Sequence, residues 1–253
     1  MNLTGKHALV TGGGSGIGAA IAVALAQARA SVTICGRRQH ALDGTAARHH
    51  SIHALTADVT DEDSILRLFQ QAHAAHGSFD IVVANAGTVE SAPAEKVSAA
   101  LWARTLNVNL TGAFFTVKPA LPEMRERGWG RIIFIASTAG LNGYAYVAPY
   151  VAAKHGVVGL ARALALETAR DGITVNAVCP GYTETPMLAQ AVQRIAAKGK
   201  RSEQDIRDVL AADNAHARLI RPEEVADVVL RLCTDESSSI TGQAIVVSGG
   251  ATW

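Results

Sequence analysis

Cysteine, aromatic side chains and excess charge are all scarce in this sequence of 253 residues. The cysteines, Cys35, Cys179 and Cys233, lie far apart, are odd in number and form no Cys-x-x-Cys pair. This spacing disfavours both a disulfide framework and a zinc site, so we expect small buried thiols, no metal and a reducing compartment. The formal net charge of +1, with 18% charged residues, gives no overall field that would attract nucleic acid. We therefore expect a small-molecule partner.

Long apolar runs are also missing. No eighteen apolar residues stand together, and the opening MNLTGKHALVTGGG has no apolar core followed by a small-residue cleavage site. These features favour a cytoplasmic protein that does not enter a membrane. Apolar residues make up 49% of the chain and aromatic residues only 5%, which is expected of layered β/α structure rather than an aromatic-rich β-sandwich.

Seven short apolar runs alternate with segments of helical spacing. The runs occupy residues 7–10, 31–35, 51–55, 80–84, 131–136, 174–179 and 244–248. Because they are continuously apolar, they predict parallel strands covered on both faces. The alternation with helices predicts an α/β Rossmann fold with a doubly wound, seven-stranded parallel sheet and helices on both faces. No linker or repeat divides residues 1–253, so we expect a single domain.

One region breaks this alternation. From Gly181 to about Pro222 there is no convincing strand, only polar helical stretches around residues 189–197 and 204–214. An insertion of this kind after a strand predicts a lid over residues 182–220, and a simple surface excursion is the alternative.

Residues 11–18 read TGGGSGIG and come directly after the first apolar run. Gly12, Gly16 and Gly18 depart from the G-x-G-x-x-G spacing, but glycines between a strand and a helix serve the same purpose. They let backbone N–H groups and a helix N-terminus approach a pyrophosphate, and the Ser15 hydroxyl could donate to it. No Lys-Ser/Thr pair follows the last glycine, which excludes a Walker-type loop.

The end of the second strand reads CGRR and predicts the choice of dinucleotide. An NAD site uses a carboxylate near this position, whereas Gly36 stands there and is followed by Arg37 and Arg38. A charged hydrogen bond contributes roughly 1.5 to 3 kcal/mol, so one arginine could favour the 2′-phosphate of NADP by about tenfold to a hundredfold. We expect NADP(H), with two solvated arginines as the alternative.

Tyr150 and Lys154, in the stretch YVAAK, are four residues apart on a predicted helix. This spacing places both side chains on one face, with Cβ atoms roughly 5 to 6 Å apart. Lowering a tyrosine pKa from about 10 to near 7 needs roughly 4 kcal/mol, which one or two positive charges could supply. Tyr150 could then act as a general acid toward a carbonyl oxygen, or as a base toward an alcohol.

Taken together, these motifs resemble the classical short-chain dehydrogenase/reductase family over about Lys6 to Gly250. The resemblance covers TGGGSGIG, the pair Asp58 and Val59, ANAG at 84–87, NVNLTG at 107–112, IASTAG at 135–140, YVAAK at 150–154, PGYTETP at 180–186 and SGG at 248–250. Two departures are mild: ANAG replaces a doubled asparagine, and Thr183 replaces an aliphatic residue.

The resemblance implies a site residue by residue. It implies a catalytic set of Asn109, Ser137, Tyr150 and Lys154, in which Ser137 binds the substrate oxygen and Asn109 supports a proton-relay water. It implies cofactor contacts at Gly12, Ser15, Gly16, Ile17, Gly18, Arg37, Arg38, Asp58, Val59, Asn85, Ala86, Gly87, Tyr150, Lys154, Pro180, Gly181, Thr183 and Thr185. Thr138 places a second hydroxyl nearby, but the thirteen-residue spacing to Tyr150 favours Ser137.

The family resemblance also implies hydride transfer between a nicotinamide and a ketone or secondary alcohol. The closest analogy is to enzymes reducing 3-oxoacyl thioesters and related polyketide or hydroxyacyl substrates. Two alternatives stay open: an NAD-dependent alcohol, polyol or hydroxyacyl dehydrogenase, and a dinucleotide-sensing protein without turnover. Lys198, Lys200 and Arg201 could meet an acidic handle of the substrate or simply lie in solvent.

The stretch VAAKHGVVGLARALALE is apolar nearly all round, which a helix with one solvated face should not be. The family commonly pairs this helix between subunits, so the resemblance implies a homotetramer.

Overall fold

The computed structural model describes residues 1–197, 199 and 201–250. Seven strands of this part of the chain form one fully parallel sheet in the order β3-β2-β1-β4-β5-β6-β7. The strands are β1 (His7–Thr11), β2 (Ser31–Gly36), β3 (Ile52–Thr56), β4 (Ile81–Ala84), β5 (Gly130–Ile135), β6 (Ile173–Pro180) and β7 (Ala244–Val247). The predicted strands are confirmed, with every bound within one residue.

Helices connect the strands in sequence. They are α1 (Gly16–Gln27), α2 (Gln39–Ala46), α3 (Glu62–His76), α4 (Ala99–Leu106), α5 (Gly112–Val117), α6 (Ala120–Arg127), α7 (Ala148–Thr168), α8 (Pro186–Ala196), α9 (Glu203–Ala212) and α10 (Pro222–Leu232). A π-helical turn over Asn107–Thr111 joins α4 to α5, and a 3₁₀ turn over Thr138–Gly140 follows β5.

The sheet separates two apolar layers. On one face α1, α2 and α10 cover alternate strand residues such as Val10 and Ile34. On the other face α3, α6 and α7 cover residues such as Val82 and Phe134. These four strand residues are completely buried. Burial of both faces explains why the strands read as continuous apolar runs, and the predicted doubly wound α/β fold is confirmed.

The strand order reverses at β1, which pairs with β2 on one side and with β4 on the other. Connections from this point run to opposite faces of the sheet, so a crevice opens outside the carboxyl ends of β1 and β4. The segments that follow β1 to β6 carry the predicted site residues, and all leave the sheet at this edge. The topology therefore gathers motifs that are far apart in sequence.

The two ends of the insertion after β6 lie side by side. Thr183 pairs with Ile220 in an isolated parallel bridge, and the Ile220 N–H donates to the Tyr182 carbonyl at 2.9 Å. Helices α8 and α9 pack against each other between these ends and correspond to the two predicted helical stretches. Arg201 is exposed, whereas Lys198 and Lys200 lie outside the described residues.

The three cysteines are buried and unpaired. Across the described part of the chain, no helix combines the length and hydropathy needed to cross a bilayer. The same residues include no group of three or more His, Cys, Asp or Glu side chains placed to hold a metal ion.

Candidate active site

The glycine loop after β1 leaves a helix N-terminus open to a ligand. Gly12 and Gly16 adopt φ values of +66° and +54°, which favour glycine. Ser15 precedes α1 in an extended conformation, and its side chain makes no capping hydrogen bond. The first N–H groups of α1 therefore lack a side-chain cap and are placed to bind an anion.

Close packing fixes the third glycine of the motif. A Cβ on Gly18 would collide with the Gly12 carbonyl oxygen and would lie 2.5 Å from Asn85 Nδ2. Ile17, between the last two glycines, is partly buried and packs against the core. A side chain at Gly18 would therefore separate the glycine loop from the segment that follows β4.

The loop after β4 is tied to β1 by a threonine that the sequence analysis overlooked. Thr11 Oγ1 accepts the N–H groups of Asn85 at 3.0 Å and Ala86 at 3.1 Å. Asn85 Nδ2 in turn donates to the Thr11 carbonyl at 2.8 Å. A buried polar residue at the last position of an otherwise apolar strand is the signal that could have identified Thr11.

Arg37 and Arg38 lie exposed at the end of β2, immediately before α2. Among the described residues, neither forms an ion pair with a carboxylate, so both guanidinium groups are free to meet an anion. A cavity of about 480 Å³ opens between α1 and α2, and Ser15, Gly16, Arg48 and Glu223 are among the residues that line it.

Asp58 and Val59 follow β3 on the same side of the crevice. Asp58 Oδ1 accepts hydrogen bonds from the Thr60 N–H at 3.0 Å and the Thr60 hydroxyl at 2.8 Å. Burial alone would raise the pKa of Asp58, but these hydrogen bonds and the charge of Arg37 lower it. The carboxylate is therefore ionised, and Val59 is buried against Gly112.

Tyr150 and Lys154 lie on one face of α7, as their spacing predicts, with Lys154 Nζ 5.6 Å from the centre of the Tyr150 ring. Lys154 is buried, and its ammonium group donates to the Ile135 carbonyl at 2.7 Å. Burial lowers the pKa of Lys154 to about 8. The lysine is therefore charged at neutral pH but close to titration.

The protein's own groups do not lower the pKa of Tyr150. Burial raises the pKa of Tyr150 to about 12, and the neighbouring Ser137 hydroxyl opposes this only in part. Tyr150 is thus protonated at neutral pH, which suits a group that donates a proton to a carbonyl oxygen.

Ser137 ends the β5 segment and caps the 3₁₀ turn. Its Oγ accepts the Ala139 N–H at 3.1 Å, so the hydroxyl proton remains available to another oxygen. The competing Thr138 hydroxyl is engaged instead, because it shares a hydrogen bond of 2.9 Å with the Tyr144 hydroxyl. The geometry therefore favours Ser137 over Thr138 as the group that meets a substrate.

Asn109 lies in the π-helical turn and is buried. Its Nδ2 donates to the carbonyls of Thr88 and Thr105, both at 2.9 Å, and its Oδ1 accepts the Thr88 N–H at 3.2 Å. A Cβ on Gly87 would lie 2.8 Å from Asn109 Oδ1 and 3.8 Å from Lys154 Nζ. Asn109 therefore lies near Lys154, but its amide holds the backbone in place.

The segment after β6 folds back over the glycine loop. Pro180 ends β6, and the Gly181 N–H donates to the Val247 carbonyl at 3.0 Å. Thr183 is buried and donates to the Gly181 carbonyl at 2.9 Å, while Thr185 caps α8 through the Leu188 N–H. A Cβ on Gly16 would lie 3.2 Å from Thr185 Cγ2, so this segment adjoins the dinucleotide loop.

The arrangement fits a nicotinamide dinucleotide. The α1 N-terminus and its glycines leave room for a pyrophosphate, and the exposed arginines lie at one end of the crevice. Of the catalytic candidates, Ser137 follows β5, Tyr150 and Lys154 lie in the first half of α7, and Asn109 lies in the π-helical turn between α4 and α5. These features bring every predicted site residue to one edge of the sheet.

Comparison with known proteins agrees with this geometry. The family model described as short chain dehydrogenase matches residues 6–196. A Streptomyces coelicolor protein named as a ketoacyl reductase is 40% identical over 249 residues, covering 96% of this chain and 95% of its own. A cis-4-hydroxycyclohexanecarboxylate dehydrogenase from Sinomonas cyclohexanicum is 40% identical over 249 residues, covering 97% and 96%.

Among solved structures, a variant of actinorhodin polyketide ketoreductase determined with NADPH superposes with a TM-score of 0.94. It is 38% identical in sequence, and the match covers 99% of both chains. The chain therefore belongs to the short-chain dehydrogenase/reductase family, whose members are oxidoreductases acting on hydroxyl or keto groups.

Proposed function

We propose that the protein is an NADP(H)-dependent ketone reductase whose preferred substrates are 3-oxoacyl thioesters. The observation that carries the proposal is the placement of Ser137, after β5, beside Tyr150 on α7, with Lys154 Nζ 5.6 Å from the centre of the Tyr150 ring. The phenol holds a proton that it can give to a carbonyl oxygen, and the relatives named as ketoacyl reductases favour reduction of a ketone over oxidation of an alcohol. The relatives named as ketoacyl reductases support the thioester substrate.

Each catalytic candidate has a role in this proposal. When bound, a reduced nicotinamide supplies the hydride that reaches the carbonyl carbon. Tyr150 gives its proton to the carbonyl oxygen, and Ser137 donates a hydrogen bond that orients the same oxygen. Lys154 stabilises the resulting phenolate with its charge, and Asn109, held by Thr88 and Thr105, supports a proton-relay water near Lys154.

We further propose that NADP(H) is preferred over NAD(H). Arg37 and Arg38 would pair with the 2′-phosphate, while Ser15 and the α1 N-terminus would hold the pyrophosphate. The remaining contacts follow the sequence analysis, with Asp58 and Val59 at the adenine, Asn85 to Gly87 along the crevice and Pro180 to Thr185 at the nicotinamide. The NADPH complex of the actinorhodin ketoreductase supports this choice.

The first experiment is a titration of the purified protein with NADPH and NADH, followed by oxidation assays against 3-oxoacyl thioesters, cyclic ketones and simple alcohols. We expect tighter binding of NADPH and turnover of the thioesters. Tyr150→Phe should lower kcat by about a hundredfold to ten-thousandfold without loss of NADPH binding. Turnover that survives this substitution would contradict the assigned role of the phenol.

A second candidate is an alcohol dehydrogenase that runs oxidatively with NAD. The relative named cis-4-hydroxycyclohexanecarboxylate dehydrogenase favours it. Preferential binding of NADH with oxidation of an alcohol would select this candidate. A dinucleotide-sensing protein without turnover would show cofactor binding but no activity that depends on Tyr150.

We propose a homotetramer as the working assembly. The π-helical turn between α4 and α5 contacts α7, and these helices expose Trp102, Phe114 and Leu166. The outer face of α7 also carries the small residues Ala152, Gly159 and Ala163, which permit close approach of a second helix. Such a surface is typical of a subunit contact.

The insertion over residues 182–220 is proposed as a lid on a single domain. Its two ends meet at Thr183 and Ile220, and its helices α8 and α9 adjoin the loop that carries Thr185. We place the protein in the cytoplasm, because three free buried cysteines suit a reducing compartment.

A further inference from the structure

Two tyrosines that have no part in the proposed chemistry face each other beside Tyr150. Tyr144 belongs to the loop after β5, and Tyr182 to the segment after the neighbouring strand β6. Their ring centres are 6.2 Å apart with an interplanar angle of 87°. This edge-to-face arrangement is a favourable one for aromatic rings.

Both tyrosines are held in place by separate contacts. The Tyr144 hydroxyl is hydrogen-bonded to Thr138, the buried residue that follows Ser137. The Tyr182 carbonyl accepts the Ile220 N–H at 2.9 Å and Asn214 Nδ2 at 3.1 Å. Tyr144 is thereby fixed to the segment that carries Ser137. The backbone of Tyr182 is fixed to the base of the insertion.

The two rings present neutral surfaces to the site. Both side chains are partly buried. Burial raises the pKa of Tyr182 to about 12, and the negative charge of Asp213 acts in the same direction. The hydrogen bond between Tyr144 and Thr138, the residue after Ser137, places this pair of rings next to the group proposed to meet the substrate oxygen.

We propose that Tyr144 and Tyr182 form an aromatic wall that selects ketones whose carbonyl carbon is part of a ring. The inference rests on the proposed ketone reduction and refines its substrate class. A ring can pack against fixed aromatic groups while losing little conformational freedom, whereas a linear chain loses the rotation of several bonds on binding. The wall should therefore favour cyclic over linear 3-oxo compounds through binding.

The test uses two matched 3-oxo esters, ethyl 2-oxocyclohexanecarboxylate and ethyl 3-oxoheptanoate. They share the carbon number and the spacing of ketone and ester, but only the first has a ring. We expect the wild-type protein to prefer the cyclic ester. Tyr182→Leu and Tyr144→Leu should each raise KM for the cyclic ester about tenfold, with little change in kcat or in KM for the linear ester.

Three variants separate the ring from other effects. Tyr182→Phe and Tyr144→Phe keep an aromatic ring and should retain the preference for the cyclic ester. Tyr146→Leu makes the same substitution at an exposed tyrosine of the loop after β5 and should leave both KM values unchanged. NADPH titration of each variant establishes that the dinucleotide site is intact.

The outcomes distinguish the wall from the proposed function. The aromatic wall would be overturned if the leucine variants raised KM equally for both esters or raised it for neither. Ketone reduction would stand in both cases. A wild-type preference for the linear ester would do the same. If NADPH binds but the wild-type protein reduces neither ester and no 3-oxoacyl thioester, the proposed function fails and the wall fails with it.

Discussion

The two arginines after β2 carry the proposed choice between NADPH and NADH. Arg37 is exposed, and its charge lowers the pKa of Asp58, so its guanidinium group lies near the predicted adenine site. Replacing it by aspartate removes the cation and adds a charge that repels a 2′-phosphate. Arg37→Asp should therefore lower the ratio of kcat/KM for NADPH to that for NADH by at least about tenfold.

Arg170→Asp is the matched control for this change. Arg170 is also exposed, but it precedes β6 at the amino edge of the sheet, away from the crevice. The same change of net charge there should leave the cofactor ratio unaltered. An equal shift in both variants would mean that overall charge, and not a contact at Arg37, sets the preference.

The lowered pKa of Lys154 predicts how the rate of reduction depends on pH. Burial lowers its pKa to about 8, so the ammonium charge beside Tyr150 is present below this pH and is lost above it. We expect kcat/KM for a ketone, measured at saturating NADPH, to fall as pH rises through about 8. The loss follows because a neutral lysine no longer stabilises the phenolate that forms when Tyr150 gives up its proton.

Lys154→Arg tests this assignment, because arginine keeps its charge throughout the range. Its absolute activity should be lower, since the guanidinium group cannot repeat the Ile135 contact, but the fall near pH 8 should disappear. A fall that remains in this variant would assign the titration to another group.

At the level of elements, the turn from β1 into α1 depends on the missing side chain at Gly18. A Cβ there would collide with the Gly12 carbonyl oxygen and crowd Asn85, so the loop would have to move. Gly18→Ala should destabilise the fold by about 1 to 3 kcal/mol and weaken NADPH binding at least about tenfold. Denaturant unfolding and cofactor titration measure the two effects.

Gly44→Ala, within a helix, is expected to have the opposite effect on stability. Gly44 lies in the interior of α2, and a Cβ there would meet no atom within 4 Å. The substitution should stabilise the protein by about 0.4 to 1 kcal/mol because alanine has less freedom in the unfolded chain. If both variants were destabilised, the crowding around Gly18 would not explain the effect of Gly18→Ala.

Strands and motif positions could be predicted from the sequence, because burial on both faces leaves a continuous apolar run and each motif follows such a run. The detailed bonding could not be predicted. The π-helical turn at Asn109 is held by Thr88 and Thr105, and the engagement of Thr138 depends on Tyr144. These are contacts between separate segments, which local spacing does not reveal. The raised pKa of Tyr150 escaped prediction because burial, not spacing, dominates it.

For the whole molecule, a group of histidines at the amino edge of the sheet should make stability depend on pH. His7 is buried, with Nδ1 2.8 Å from the Gly77 carbonyl and Nε2 2.9 Å from Thr33 Oγ1. Burial lowers the pKa of His7 to about 4, and the positive charges of His76, His73 and His53 act in the same direction, although the Gly77 contact opposes them.

Because the folded-state pKa lies below the unfolded value of 6.5, the unfolded chain binds the proton first as pH falls. The contribution of His7 to stability is complete above about pH 6.5 and is lost toward pH 4, a change of about 3 kcal/mol. Melting temperatures measured between these pH values should fall, and His7→Phe should flatten the dependence even if it lowers stability overall. The exposed His40→Gln should not change the slope. An unchanged slope in His7→Phe would assign the acid sensitivity elsewhere.

The proposed tetramer makes its own prediction for the whole molecule. Leu166, on α7, is 83% exposed. Contact with a second subunit would remove this apolar side chain from water, which is favourable. Leu166→Glu should therefore yield dimers or monomers by light scattering, while the isolated fold and NADPH binding persist. Leu66→Glu places the same charge at another exposed leucine, on α3, and should remain tetrameric. A monomeric wild-type protein at micromolar concentration, or tetramers that persist in Leu166→Glu, would refute an interface through this face of α7.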